Sequence, residues 1–477
     1  MSQRLESPRL RLGVLGIVVI ALFVPLFARL WYLQVLSSES FTEAAEANRI
    51  RVVQVEAPRG RILDRDGTVL VDNRVSIVVT VDRVRFAELE GDQRTAMLER
   101  LAAELTRYGS PATVEQLLDR VDDQRYSRYA PVPVAEDATE ELKIFVEEHE
   151  ALFPSVAVER VAVRRYPFGT RGAHVIGYVG EINDEELEER AKKPKTYIRG
   201  NQIGKTGVER IYEDDLRGMP GQTVFEVDAM GDPVRILEDQ STPPIPGDDV
   251  WLTIDIETQA LSEDLLAQAL EAARNRRVSG GNLPNRGNAG SVVVTDPRNG
   301  EVLAMASYPL YDPTDFVNGI SSTRWEFLNS AEADKPILNR AIQGEYAPGS
   351  TFKLFTGLAA MVHGLRTPEQ PFVDTGTFTL DECRGQCTFR NAGSKAYGTV
   401  DMSRAVTVSS DAYFYSIGAD FWRQRGRLGE EAMQETVRLF GFDQETGVPL
   451  PSEQAGRIPT PRQRKACLLY TSDAADE

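Results

Sequence analysis

Residues 345–364 read EYAPGSTFKLFTGLAAMVHG, and this stretch decides how the rest of the chain is read. Pro348-Gly349 predicts a turn, and an apolar helical run begins at Ser350. Lys353 follows three residues later, so the hydroxyl and the amine fall on one helix face, a single turn apart. Such a pair supports nucleophilic catalysis without histidine: a lysine desolvated by burial loses proton affinity and accepts the serine proton. The leading N–H groups of the helix, that of Ser350 among them, are free to hold an oxyanion. Ser-x-x-Lys alone is a common pattern that reads first as a serine N-cap followed by an exposed lysine, so its surroundings must decide.

Downstream lies AVTVSSDAYFYSIGADFW, with Ser409-Ser410-Asp411 between two apolar helical stretches. A Ser-x-Asn/Asp element is the expected companion of Ser-x-x-Lys. Ser409 is expected to relay a proton to the leaving amine, and Asp411 to orient Lys353 or bind substrate backbone. The histidines, His149, His174 and His363, are scattered and give no serine–histidine–acid spacing; packing or surface roles are expected of them.

Outward from this centre, NRAIQGEYAPGSTFK resembles the nucleophile segment of class B penicillin-binding proteins, and other landmarks recur in that family's order. They are RGRILDRDG (59–67), GKTGVERIYEDDLRG (204–218), LTID (252–255), VVVTDPRNGEVLAMASYP (292–309) and GRIPTP (456–461). The likeness extends from residue 1 to about 466, and Asp411 in SSDAYFY resembles the elongation-type branch. The resemblance implies an α+β protein with a single N-terminal transmembrane helix, an elongated mixed α/β pedestal and a serine β-lactamase-like transpeptidase domain, its sheet flanked by helices. It implies a D,D-transpeptidase that cross-links peptidoglycan in cell elongation, with Ser350, Lys353, Ser409 and Asp411 as its catalytic set. Ser350 would attack the D-Ala-D-Ala end of a stem peptide and pass the acyl group to an amine on a neighbour. β-Lactams would acylate the same serine, no cofactor or metal would be needed, and a SEDS-type glycosyltransferase would be the membrane partner. The alternative within the same fold is a β-lactam sensor or non-catalytic scaffold; a carboxypeptidase or β-lactamase, in which water resolves the acyl-enzyme, is a further one.

Composition argues against a nucleic-acid binder. The chain has 477 residues and a formal net charge of -18, whereas phosphate backbones demand a basic face. Residues 12–28, LGVLGIVVIALFVPLFA, are uncharged and follow Arg4, Arg9 and Arg11. Arg29 can snorkel, and Trp31 and Tyr32 suit the membrane interface. A retained anchor over 12–36 is expected, with 1–11 in the cytoplasm and the catalytic domain outside the inner or plasma membrane. Cys383 and Cys387, in DECRGQC, are read as a disulfide, as free thiols, or as metal ligands beside Asp374, Asp381 and Glu382; two thiols without a histidine do not complete a zinc shell.

Asp66-Gly67 predicts a hairpin turn, residues 84–150 read as helical, and 155–182 as strands. The Pro-rich stretch 241–249 is taken as the boundary between a pedestal (37–245) and a transpeptidase domain (246–466). Beyond it, a helix over IETQALSEDLLAQALEAARNRR and a hairpin around Arg298-Asn299-Gly300 are predicted. Lys205-Thr206-Gly207 mimics the family's Lys-Thr/Ser-Gly motif but precedes Ser350; no such tripeptide follows Ser409. RGNQIGKT has Arg199 where a phosphate-binding loop needs glycine. The terminal CLLYTSDAADE breaks from the domain pattern and resembles a translated sequencing adapter. Foreign sequence over 467–477 is therefore expected, on a transpeptidase domain that is incomplete and, as a fragment, inactive.

Overall fold

The hairpin expected at Asp66-Gly67 opens the first sheet. Ile62–Leu63 and Val69–Val81 pair antiparallel, and Asp64 closes the turn by accepting the N–H groups of Asp66 and Thr68 at 2.9 and 2.8 Å. Gly67 sits at φ +89°, where a side chain is strained. Val69–Val81 is the spine of the sheet. It runs antiparallel to Val156–Arg165, from Asp72 opposite Arg165 to Val81 opposite Val156, and its far end also pairs with Val132–Ala135. This computed structural model describes residues 8–32, 49–123, 131–191, 197–227, 233–276, 286–317, 319–380 and 387–463.

Helices cover one face of that spine, as the apolar periodicity of 84–150 predicts. Gly91–Arg107 starts with a reciprocal Glu90–Gln93 capping box and buries Met97, Leu98, Leu101 and Leu105, the i, i+4, i+8 stripe of an amphipathic helix. Val114–Val121 and Glu140–Glu148 are capped by Thr113 and Thr139, and they close a core with Val79, Val81, Phe86 and Phe153. The strand reading of 155–182 holds only in part. Ala173–Ile176 is one helical turn bracketed by Gly172 (φ +68°) and Gly177 (φ +83°), with all four of its side chains buried. Burial on every side, rather than on alternate residues, is what a strand pattern cannot register.

A second sheet joins Ile50–Val55, Gly221–Val227 and Pro233–Ile236. The Pro-rich stretch does not hang free: Thr242 and Ile245 bridge to Gln222 and Met219, and Val250–Trp251 then pairs parallel with Ile62–Leu63. Consequently one core draws on both sides of residue 245, uniting Ile62, Leu70, Val71, Tyr166, Val175, Ile176, Val208 and Leu216 with Ile254, Ile256 and Met305. Beside it lies a buried ion cluster. Arg59 contacts Glu209 at 2.9 Å and Glu213 at 2.8 Å, while Arg164 contacts Glu209 at 2.6 Å. Burial alone would raise the pKa of Glu209, but Arg164 and Arg59 hold its carboxyl below the usual range.

Past the junction, Ile256–Arg274 is the predicted long helix, and Gly290–Thr295 pairs with Val302–Tyr308 as the predicted hairpin. Gln259 fastens one to the other, its amide giving and taking bonds with the Met305 backbone at 3.1 and 2.7 Å. A last core gathers Ala359, Ala360, Met402, Ala405, Tyr413, Phe414, Ile417 and Phe421 beneath the candidate site.

At the N-terminus a helix spans Pro8–Trp31, with Leu15, Ile17, Phe23 and Phe27 more than 60% exposed. The expected anchor, 12–36, lies partly outside the described residues, and among those described no helix is long and apolar enough to cross a membrane. The expected foreign tail, 467–477, and Asp381, Glu382, Cys383 and Cys467 lie outside the described residues. Cys387 is disulfide-bonded.

Candidate active site

The nucleophile segment departs from a plain helix. Gly349–Phe352 forms a 3-10 turn and the α-helix begins at Lys353, running to Val362. Gly349 adopts φ +58° in open space, so its backbone conformation, not crowding, calls for glycine. Thr351 Oγ1 donates back to Pro348 O at 2.7 Å and tightens the turn. Ser350 is exposed at the start of this turn.

Ser409-Ser410-Asp411 is the joint between two helices. Met402–Thr407 ends with the Ser410 N–H on Ala405 O (2.9 Å) and the Ser409 N–H on Val406 O (3.1 Å), a Schellman closure. Ser409 therefore occupies the left-handed position, at φ 55°, that glycine ordinarily takes. Ser410, fully buried, is the N-cap of Asp411–Arg423 and accepts the Tyr413 N–H at 3.1 Å. Asp411 opens that helix. Three consecutive residues thus have three tasks, and the sequence reading missed the middle one. Its signal was the Ser-x-x spacing ahead of an apolar run.

The two segments meet side chain to side chain. Ser409 Oγ donates to Ser350 Oγ at 3.0 Å, and Lys353 Nζ donates to Ser409 Oγ at 3.0 Å. Lys353 also donates to Ser409 O at 2.9 Å and to Asp411 Oδ1 at 2.6 Å. Its side chain is 13% exposed and that of Asp411 28%, and the Phe414 ring lies 5.6 Å away. Beneath it, Gly357 packs with Met402 Sδ and Phe414 Cε1 at 3.4 and 3.7 Å from where a Cβ would stand, ordinary van der Waals distances. The structure thus brings together Ser350, Lys353, Ser409 and Asp411. Ser409 stands between Ser350 and Lys353, whereas the sequence reading has the two meet directly. A hydroxyl in that place can pass a proton from one oxygen to an amine, since both of its hydrogen-bonding roles are filled by the right neighbours.

Other candidates fall elsewhere. Lys205-Thr206-Gly207 leads into the short helix Gly207–Ile211, where Lys205 pairs with Glu186 and Gly207 packs against the Val175 carbonyl. His174 is buried and uses Nε2 on Pro336 O at 2.7 Å; His363 contacts Thr436, and His149 contacts Phe145 O. Asp374 is buried among hydrogen-bond donors, and among the described residues no group of His, Cys, Asp and Glu is arranged to hold a metal.

Comparison with known proteins matches two family domains along the chain. The family described as penicillin-binding protein dimerisation domain matches residues 54–252, and that described as penicillin binding protein transpeptidase domain matches 290–475. A peptidoglycan D,D-transpeptidase MrdA of Acinetobacter baumannii is 34% identical over 448 residues, 94% of this chain and 60% of that protein. The chain therefore spans about three fifths of the length of this relative. A solved complex of penicillin-binding protein PBP2 with MreC from Helicobacter pylori superposes with TM-score 0.68 at 24% identity, covering 87% of this chain and 70% of that one. A structure described as coordination of polymerization and crosslinking by a peptidoglycan synthase complex gives 0.61 at 29%, covering 96% and 72%. With both domains matched in order along one mixed α/β chain, the protein belongs to the class B penicillin-binding proteins.

Proposed function

We propose that this chain is part of a serine D,D-transpeptidase that forms peptidoglycan cross-links during cell elongation. The observation that carries the reading is the unbroken chain from Ser350 Oγ through Ser409 Oγ to Lys353 Nζ, with 3.0 Å at each step. Loss of one proton from Lys353 to solvent, with a turn of both hydroxyl rotors, reverses its direction. Ser350 then donates to Ser409, Ser409 to a neutral Lys353, and the proton leaves the nucleophile as its oxygen attacks the carbonyl of the penultimate D-alanine. The new ammonium forms beside Asp411, whose carboxylate is already in place to hold it. Collapse of the tetrahedral adduct breaks the peptide bond and releases D-alanine, which takes up the proton; an amine of a second stem peptide then attacks the ester and frees Ser350. The Ser350 N–H, near the start of the 3-10 turn, is one donor for the oxyanion. β-Lactams acylate the same hydroxyl and inhibit the enzyme. The names of the relatives and the transpeptidase match support this reading.

In this reading residues 37–245 are a pedestal and 246–466 the catalytic domain, held outside the inner or plasma membrane by a single anchor over 12–36. The exposed apolar side chains of Pro8–Trp31 support the anchor, because so much hydrocarbon in water is unfavourable. A SEDS-type glycosyltransferase is the partner, a reading supported by the likeness to a component of a peptidoglycan synthase complex. The test is D-alanine release from a pentapeptide donor in the presence of an amine acceptor, using the membrane-embedded full-length protein. Release with cross-linked product, absent in Ser350→Ala, supports the reading; equal release by both proteins overturns it.

A further inference from the structure

We infer that Asp374 and Asn391 are positioning residues that set the catalytic joint from behind, an inference resting on the proposed chemistry. Asp374 ends the strand Phe372–Asp374, which pairs antiparallel with Gly398–Val400. Its side chain is 1% exposed and has no ion-pair partner among the described residues. Its carboxylate accepts instead from the Gly376 N–H (2.7 Å), from Asn391 Nδ2 at both oxygens (2.9 Å each) and from Ser410 Oγ (2.5 Å). Asn391, 3% exposed, turns its Oδ1 to the Ala412 N–H at 2.8 Å, and Nδ2 also reaches Lys395 O at 2.8 Å.

The consequence is geometric. Ala412 and Tyr413 carry first-turn N–H groups of the helix Asp411–Arg423, which have no partner inside the helix. Asn391 takes one and Ser410 the other, and Asp374 holds both of these groups at once. Ser410 is flanked by Ser409, which contacts the nucleophile, and by Asp411, which contacts Lys353. Every donor around Asp374 is an N–H or O–H, so both its oxygens must accept. An amide in its place turns an NH2 toward another donor. A buried carboxylate without a cation is a costly way to cap a helix if capping is all it does, since Ser410 already accepts the Tyr413 N–H. The arrangement instead fixes the approach of Ser409 and Asp411 to the reacting groups, where a shift of about 1 Å costs roughly 100-fold in rate.

The test compares wild type with Asp374→Asn and Ser410→Ala in the full chain, using a fluorescent penicillin titrated to saturation. The expected result is a fall of about 10- to 100-fold in the limiting acylation rate per folded molecule, with half-saturation changed less than about 2-fold. Lys353 reactivity toward an amine-modifying reagent, read on its tryptic peptide, should rise about 10-fold as its contacts loosen. Unchanged limiting rate and unchanged Lys353 reactivity in a folded variant overturn the inference, as does a loss of labelled fraction at wild-type rate, which marks folding alone. If Asp374→Asn does not fold, Ser410→Ala carries the same expectations. If wild type takes up no penicillin, the transpeptidase reading fails separately, and Lys353 reactivity still decides the positioning role.

Discussion

Ser409 Oγ lies 3.0 Å from Ser350 Oγ although the two residues are 59 positions apart, and Ser409 reaches there from a left-handed backbone conformation. That combination separates function from stability at a single residue. Ser409→Gly relieves the left-handed strain and should make the protein roughly 0.5–1 kcal/mol more stable. The same change removes the relay and should slow penicillin acylation by about 100-fold or more. Thermal melting and labelling time courses on one preparation read both; a variant that is less stable and equally fast contradicts the assignment.

The ion pair of Lys353 with Asp411 predicts an asymmetric pair of losses. Lys353→Met removes the proton acceptor and should lower the acylation rate by about 1,000-fold. Asp411→Asn keeps a hydrogen-bond acceptor beside Lys353 but no charge, and should cost about 10- to 100-fold. Stopped-time labelling on equal amounts of folded protein checks the order; a larger loss at Asp411 than at Lys353 contradicts it.

Much of the site was legible in the sequence. Ser350, Lys353, Ser409 and Asp411 follow from two short patterns, and the structure brings all four together. Their order of contact was not legible, because the 3-10 turn at Gly349–Phe352 and the Schellman closure at Ser409 are set by backbone geometry that residue types only hint at. Asp374 read as one of several acidic residues near two cysteines; its role beside Ser410 depends on a pairing 36 positions apart. The helices and hairpins with strong periodicity were readable, whereas the turn Ala173–Ile176, buried on all sides, offered no period to detect. The shared core around Ile62 and Ile254 was hidden for a similar reason, since nothing local announces that a Pro-rich stretch will pair instead of part.

His174 predicts acid sensitivity of the packing between the turn Ala173–Ile176 and the segment at Pro336. Burial lowers its pKa from 6.5 to about 4, and its Nε2 contacts Pro336 O, 162 positions away. Between these values the unfolded chain binds a proton that the folded protein refuses. Stability is therefore fully present above about pH 6.5 and falls as the pH drops toward about 4, by on the order of 3 kcal/mol. Denaturant melts at several pH values should show this slope, and His174→Gln should flatten it; an unchanged slope in the variant contradicts the account.

The buried cluster at Arg59, Arg164 and Glu209 predicts a strong dependence on partnership. Arg164→Met leaves Glu209 with one cation and should destabilise the protein by about 3–5 kcal/mol, while Arg164→Met combined with Glu209→Leu should recover part of the loss. Because the Glu209 carboxyl is held below its ordinary range, its contribution is present above that range and is lost as pH falls through the depressed folded value. Equilibrium unfolding of the single and double variants checks both statements.

The central claim is that Ser350 is the acylated nucleophile. Trypsin cleavage after Arg340 and Lys353 isolates residues 341–353, AIQGEYAPGSTFK, as one peptide. After incubation with penicillin, mass spectrometry of this digest should find the penicilloyl group on that peptide and fragment ions should assign it to Ser350. An adduct on any other residue, or none on a folded and membrane-embedded protein, contradicts the account.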